Sequence, residues 1–141
     1  MSISLRKART VIRKAFEKGA ELGLKPLSVV VLDAGGHVIA FERQDGASVG
    51  RFAIAQGKAY GSVMLGMAGT AQQARAENQA YFMNCVNGVF GGQVVPVPGG
   101  VLVRSAKGAI LGAVGVTGDT SDNDAVAAMA GLEAANLIGE I

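Results

Sequence analysis

Residues 27–32, Leu-Ser-Val-Val-Val-Leu, set the tightest constraint on what this chain can become. The run is short, β-branched and almost continuously apolar, the pattern of a strand covered on both faces. Pro26 bounds it on one side and the turn Asp33-Ala34-Gly35-Gly36 on the other. A second strand over 37–43 follows at once, so the two form an antiparallel hairpin. The chain has 141 residues, half of them hydrophobic, which is enough for a single domain over 1–141 to cover both faces of a sheet.

The covering elements are legible as helices. Over 3–23, Ile3, Ala8, Val11, Ile12, Ala15, Phe16 and Ala20 recur near a 3.6-residue period. Ser2 or Ser4 can cap that helix, and Gly23 with Pro26 can stop it. Further helices are predicted over 51–64, 70–84 and 122–137. Strands are predicted over 93–97, 101–105 and 109–117, the last two joined by the turn Ala106-Lys107-Gly108. Strands arrive as hairpins and not as β-α-β units. The reading is therefore an α+β layered domain, an antiparallel sheet with helices on both faces.

Charged residues make up 17% of the chain, below the roughly 25% usual for soluble domains. Apolar surface should remain after the core is filled, which predicts a homo-oligomer. The formal charge is +2. Arg6, Lys7, Arg9, Arg13, Lys14 and Lys18 crowd the first helix, where they read as its solvated side. No tyrosine or tryptophan interleaves with them, so no nucleic-acid partner is expected. The N-terminus has no apolar signal core and no stretch is long enough to span a membrane. With one cysteine, Cys85, the expected compartment is the reducing cytoplasm. Cys85 itself reads as a buried small hydrophobe.

Few motifs suggest chemistry. Gly112-Ala-Val-Gly115-Val-Thr-Gly118 resembles a phosphate-binding run, but it follows a hairpin strand and lacks the dinucleotide spacing, so its glycines are read as admitting a close neighbour. Gly57 and Gly61 on the second helix are read the same way. Asp119, Asp122 and Asp124 lie together, yet the spacing is not that of a calcium loop. Ser121 with Asp124 makes a capping box, and free N–H groups at that helix start could still receive a ligand. His37 is the sole histidine. Its turn position reads as solvent-facing, and it is the one candidate imidazole base or metal or haem ligand. Lys58 sits among small apolar residues and must find a charge, either Asp45 or Asp33 or a ligand. Arg43 and Lys58 are the candidate catalytic residues, as carboxylate clamp and general base.

Four stretches together resemble the GlcG/HbpS family, which also supplies the C-terminal domain of PduO-type proteins. They are VVVLDAGGHVIAFERQDGA, IAQGKAYG, GGQVVPVPGGVLVR and GAVGVTGDTSDND. The resemblance implies a profilin-like domain, a five-stranded antiparallel sheet between helices, assembling into dimers or rings. It makes Asp33, Arg43, Asp45, Lys58, Asp119, Asp122 and Asp124 candidate pocket residues. It also makes haem a possible cofactor. Haem-binding members use a histidine in the first helix; here that helix has none, and Arg13 and Lys14 fall closest. His37, Tyr60, Tyr81 or a methionine would have to substitute. The segment ending GDTSDND looks like the catabolic-operon branch. The expected function is a ligand-binding accessory protein of small-molecule catabolism, its ligand a small organic acid or a tetrapyrrole. The alternatives are a small enzyme on an oxidised catabolite, a haem-binding protein, or a scaffold for a pathway enzyme.

Overall fold

The computed structural model describes residues 2–141. Its elements run α1 (Leu5–Glu21), β1 (Ser28–Asp33), β2 (Val38–Arg43), α2 (Arg51–Leu65), α3 (Gly69–Asn78), α4 (Ala80–Val89), β3 (Gly100–Arg104), β4 (Ile110–Thr117), α5 (Ser121–Ala134) and β5 (Ile138–Glu140). The strands form one five-stranded sheet in the order β2-β1-β4-β3-β5, every neighbour antiparallel. This is the α+β, profilin-like arrangement that the resemblance implies.

Strand alternation sorts the core into two layers. Val29, Val31, Val101, Val103, Val114 and Val116 face α1 and α5, where they meet Val11, Ile12, Ala127 and Leu132. Val30, Leu32 and Ala113 face α2 and meet Ala55, Ala59 and Val63. Each fully buried valine or leucine stabilises by about 1.5–3 kcal/mol. The continuous apolar run of β1 is explained by this: both its faces are covered, and Ser28 to Leu32 are all buried.

The α2 layer lies unusually close to the sheet. A Cβ built on Gly115 would strike the Ala55 carbonyl and sit 3.1 Å from the Ala59 Cβ. The glycine run of β4 therefore serves backbone approach and not phosphate binding. Gly57 and Gly61 likewise clear space on α2, for Val95 and the Gln93 carbonyl, and for Gln72 and Val94.

Four local expectations are overturned. Residues 93–97 form no strand; Pro96 and Pro98 remove ladder donors, and the segment instead crosses α2, with the Val95 N–H donating to the Gly57 carbonyl at 3.3 Å. The fifth strand is β5, released where Asn136 adopts φ +56° and ends α5. The helix expected over 70–84 is two helices, broken at Gln79 (φ −140°, ψ 63°), and the second runs on to Val89. Its Cys85 is exposed rather than buried, because only Met83 of α4 is inward. The cap of α5 is Thr120, whose hydroxyl accepts from the Asn123 N–H at 3.2 Å, and not Ser121. Ser4 caps α1 as expected.

Candidate functional site

The outer side of α1 forms one wall of a wide concavity. Its inner side buries Ala8, Val11, Ile12, Ala15 and Gly19. Arg6, Arg9 and Arg13 recur at helical spacing on another side, and with Leu5, Phe16, Ala20 and Glu42 of β2 they line an open groove of about 860 Å³. Arg13 pairs with Glu17 at 3.3 Å, but both side chains are more than half exposed, so the pair is worth little. Arg6 and Arg9 form no ion pair among the described residues. The groove thus joins an apolar floor to the unpaired guanidinium groups of Arg6 and Arg9, which can take carboxylates, with Glu17 and Glu42 also on its wall.

Arg43 and Asp45 lie in a second concavity of about 560 Å³, which shares Phe16, Ala20 and Glu42 with the first. The sequence-level residues are therefore partly brought together: Arg43 and Asp45 extend the α1 groove. The remaining candidates fall elsewhere.

Lys58 meets neither Asp45 nor Asp33. Its Nζ donates to Asp124 Oδ2 at 3.0 Å and to the Val116 carbonyl at 3.1 Å, with side-chain exposures of 4% for Lys58 and 1% for Asp124. The pair ties the α2 layer to the start of α5 across the end of the sheet. Gly99 (φ +106°) makes room for it: a Cβ there would sit 3.0 Å from Lys58 Nζ and 3.2 Å from the Asp124 Cβ. Burial lowers the Lys58 pKa and raises that of Asp124, while their attraction opposes both shifts. Asp33 instead accepts from the Gly35 and His37 N–H groups inside the β1–β2 turn.

Asp119 is committed locally. Its carboxylate accepts from Asn123 Nδ2 at 2.8 Å, the Lys25 N–H at 3.0 Å and the Thr120 N–H at 2.9 Å, which hold its pKa at about 2. Asp122 is exposed on the first turn of α5, where it lines a concavity of about 470 Å³ with Val126 and Met129. His37 is 81% exposed and lies 3.3 Å from Asp33. No group of three or more His, Cys, Asp or Glu side chains could hold a metal among the described residues. No helix there is long and apolar enough to cross a membrane.

Sequence reasoning saw the arginines of α1 but read them as a solvated side. The missed signal was Leu5 and Phe16 flanking the stripe Arg6, Arg9 and Arg13, apolar residues where a wholly solvated side would have none.

Residues 3–133 match the family model described as haem degrading protein HbpS-like. The chain belongs to the HbpS-like family. Among solved structures, this HbpS-like chain is similar to an HbpS double mutant from Streptomyces reticuli, at 28% identity and TM-score 0.80 over 93% of this chain and 85% of that one. It also superposes on a PduOC:haem complex, at 22% identity and TM-score 0.87 over 98% of each chain. A Klebsiella pneumoniae protein, ORFY, matches at 24% identity and TM-score 0.82, over 95% of this chain and 90% of that one. No curated protein matches the sequence.

The haem of the PduOC complex poses a test for the groove of this HbpS-like chain. Haem iron takes its axial bonds from His, Cys, Met or Tyr. The α1 groove is lined by none of these. Its donors suit carboxylates and do not suit iron.

Proposed function

We propose that this protein is a ligand-binding accessory protein of small-molecule catabolism, and that the α1–β2 groove holds a carboxylate-bearing organic ligand. The observation that carries the reading is the stripe of Arg6, Arg9 and Arg13 along an apolar floor. A volume of about 860 Å³ suits a planar acid of drug-like size, a tetrapyrrole included. Membership of the HbpS-like family and the likeness to a PduOC:haem complex support a ligand of that kind. Arg43 and Asp45 extend the groove toward Pro26 and would orient the polar end of the ligand. The openness of the groove and the low charge content support closure by a second copy of the chain. The single, exposed Cys85 supports a reducing, cytoplasmic setting.

In this reading guanidinium groups do the holding, and iron does not. Haem and iron-free protoporphyrin, titrated separately, are expected to bind with similar affinity, and the Soret band of haem is expected to lack the signature of histidine ligation. Replacing both Arg9 and Arg13 with Ala should weaken either by about tenfold or more, since a hydrogen bond to a charged group contributes roughly 1.5–3 kcal/mol. Binding indifferent to that double substitution would remove the groove from consideration. A ligated Soret band lost in His37→Ala would move the site to the β1–β2 turn.

A further inference from the structure

Arg51, the first residue of α2, lies away from the groove and is held from two sides. Its Nη1 donates to Thr117 Oγ1 at 2.8 Å and its Nε to Ser48 Oγ at 3.0 Å. A guanidinium has five N–H donors in a fixed fork, so most of its outer edge is left over. Arg51 is partly buried, yet it forms no ion pair among the described residues. A desolvated cation without an anion is costly, and such groups normally have a partner.

That outer edge borders a separate cavity of about 220 Å³, walled by Lys25, Pro26, Ala47, Ser48 and Gly118. Only Pro26 is shared with the extension of the α1 groove. Two of its residues, Lys25 and Arg51, are cations, and none is acidic. Of the carboxylates nearby in the chain, Asp45 lines the neighbouring concavity, and Asp119 and Asp124 are already engaged. Asp119 is held by the Lys25, Thr120 and Asn123 donors, and Asp124 by Lys58 and the Asp119 N–H. The first turn of α2 carries no acidic residue, and no side chain caps it. At the end of the sheet, beside the Thr117 that holds Arg51, one buried polar group lies without lining the cavity. Ser28 is the register partner of Thr117 and is 0% exposed, and its hydroxyl has no hydrogen-bond partner. Strand alternation places Ser28 on the same side of β1 as Val30 and Leu32, the side facing α2.

We propose that this cavity is a second ligand site, for a small aliphatic monocarboxylate of about the size of propionate. Arg51 takes the carboxylate on the free edge of its guanidinium, a planar two-point match. Lys25 adds a second positive charge, and Pro26 and Ala47 cover the hydrocarbon end. The volume is that of several waters at about 30 Å³ each, room enough for a short acid. The site stands independently of the groove reading, because it uses none of Arg6, Arg9 or Arg13.

The test is ligand-observed NMR with carboxyl-labelled propionate on the full chain, with acetate, inorganic phosphate and chloride as competitors. Saturable propionate binding is expected, displaced by acetate and untouched by equimolar chloride. Arg51→Gln should weaken it by about tenfold or more. Arg9→Gln should leave it unchanged, which separates this site from the groove. Arg51→Lys and Ser48→Ala, each checked for native circular dichroism, cover the case in which Arg51→Gln does not fold, and both should weaken binding. Displacement by chloride as effective as by acetate would show only a diffuse positive field and overturn the proposal. So would phosphate binding without propionate binding, or propionate binding that follows Arg9 instead of Arg51.

Discussion

Lys58 shows how much a single residue can reveal and still mislead. A lysine flanked by Gly57 and Ala59 on an apolar helix had to find a charge, and that much followed from desolvation alone. Which charge did not, because Asp124 is 66 residues away and the contact depends on the bare backbone of Gly99. At 4% exposure, the amine is turned to Asp124 and the Val116 carbonyl. Removing one partner of such a pair leaves a buried uncompensated charge and costs about 3–5 kcal/mol. Lys58→Met and Asp124→Leu are each expected to lower stability by that amount in urea unfolding. The double substitution should recover most of the loss, since a well-packed apolar pair often replaces a buried ion pair without penalty. Additive losses in the double mutant would show that Lys58 and Asp124 act separately, and would return Lys58 to the list of candidate bases.

At the scale of elements, the parts legible in advance were those fixed by local pattern. The hairpin of β1 and β2, the α1 face and the β3–β4 hairpin all follow from alternation, helical period and turn residues. The parts that escaped depend on distant partners. Residues 93–97 look like a strand by composition, but their prolines leave them crossing α2, while the short β5 takes the sheet edge beside β3. The break at Gln79 has neither proline nor glycine to announce it. There the Arg75 guanidinium lies 4.3 Å above the Phe82 ring, a contact across the two helices that no local rule supplies. The glycines of β4 were legible as places of close approach, with the partner unnamed. Gly115→Ala tests that partner. The added methyl meets the backbone of Ala55, which cannot rotate away, so α2 must lift from the sheet. A loss of about 1–3 kcal/mol is expected by denaturant titration, the usual cost of overpacking. A neutral Gly115→Ala would mean that α2 is held less closely than the structure shows.

Across the whole molecule, charge is distributed unevenly, and this bears on assembly. Basic side chains crowd α1, whereas no residue between Glu77 and Arg104 carries a charge. Much of that uncharged stretch is α4, which buries Met83 alone and leaves Tyr81 at 69% and Val89 at 76% exposure. An uncharged apolar helix offers nothing to a charged partner and is complementary to a copy of itself. The expected occupant of this surface is therefore a second chain, as the 50% hydrophobic composition already suggested. Analytical ultracentrifugation at micromolar concentration should report a multiple of 14.3 kDa. Introducing Tyr81→Asp and Val89→Asp together should shift the distribution toward monomer while circular dichroism stays native, because neither side chain contributes to the core. A wild-type monomer would remove the idea that a sister chain closes the α1–β2 groove. An oligomer indifferent to both aspartates would place the interface on another face, with the exposed Val126 and Ile138 side chains as the next to probe.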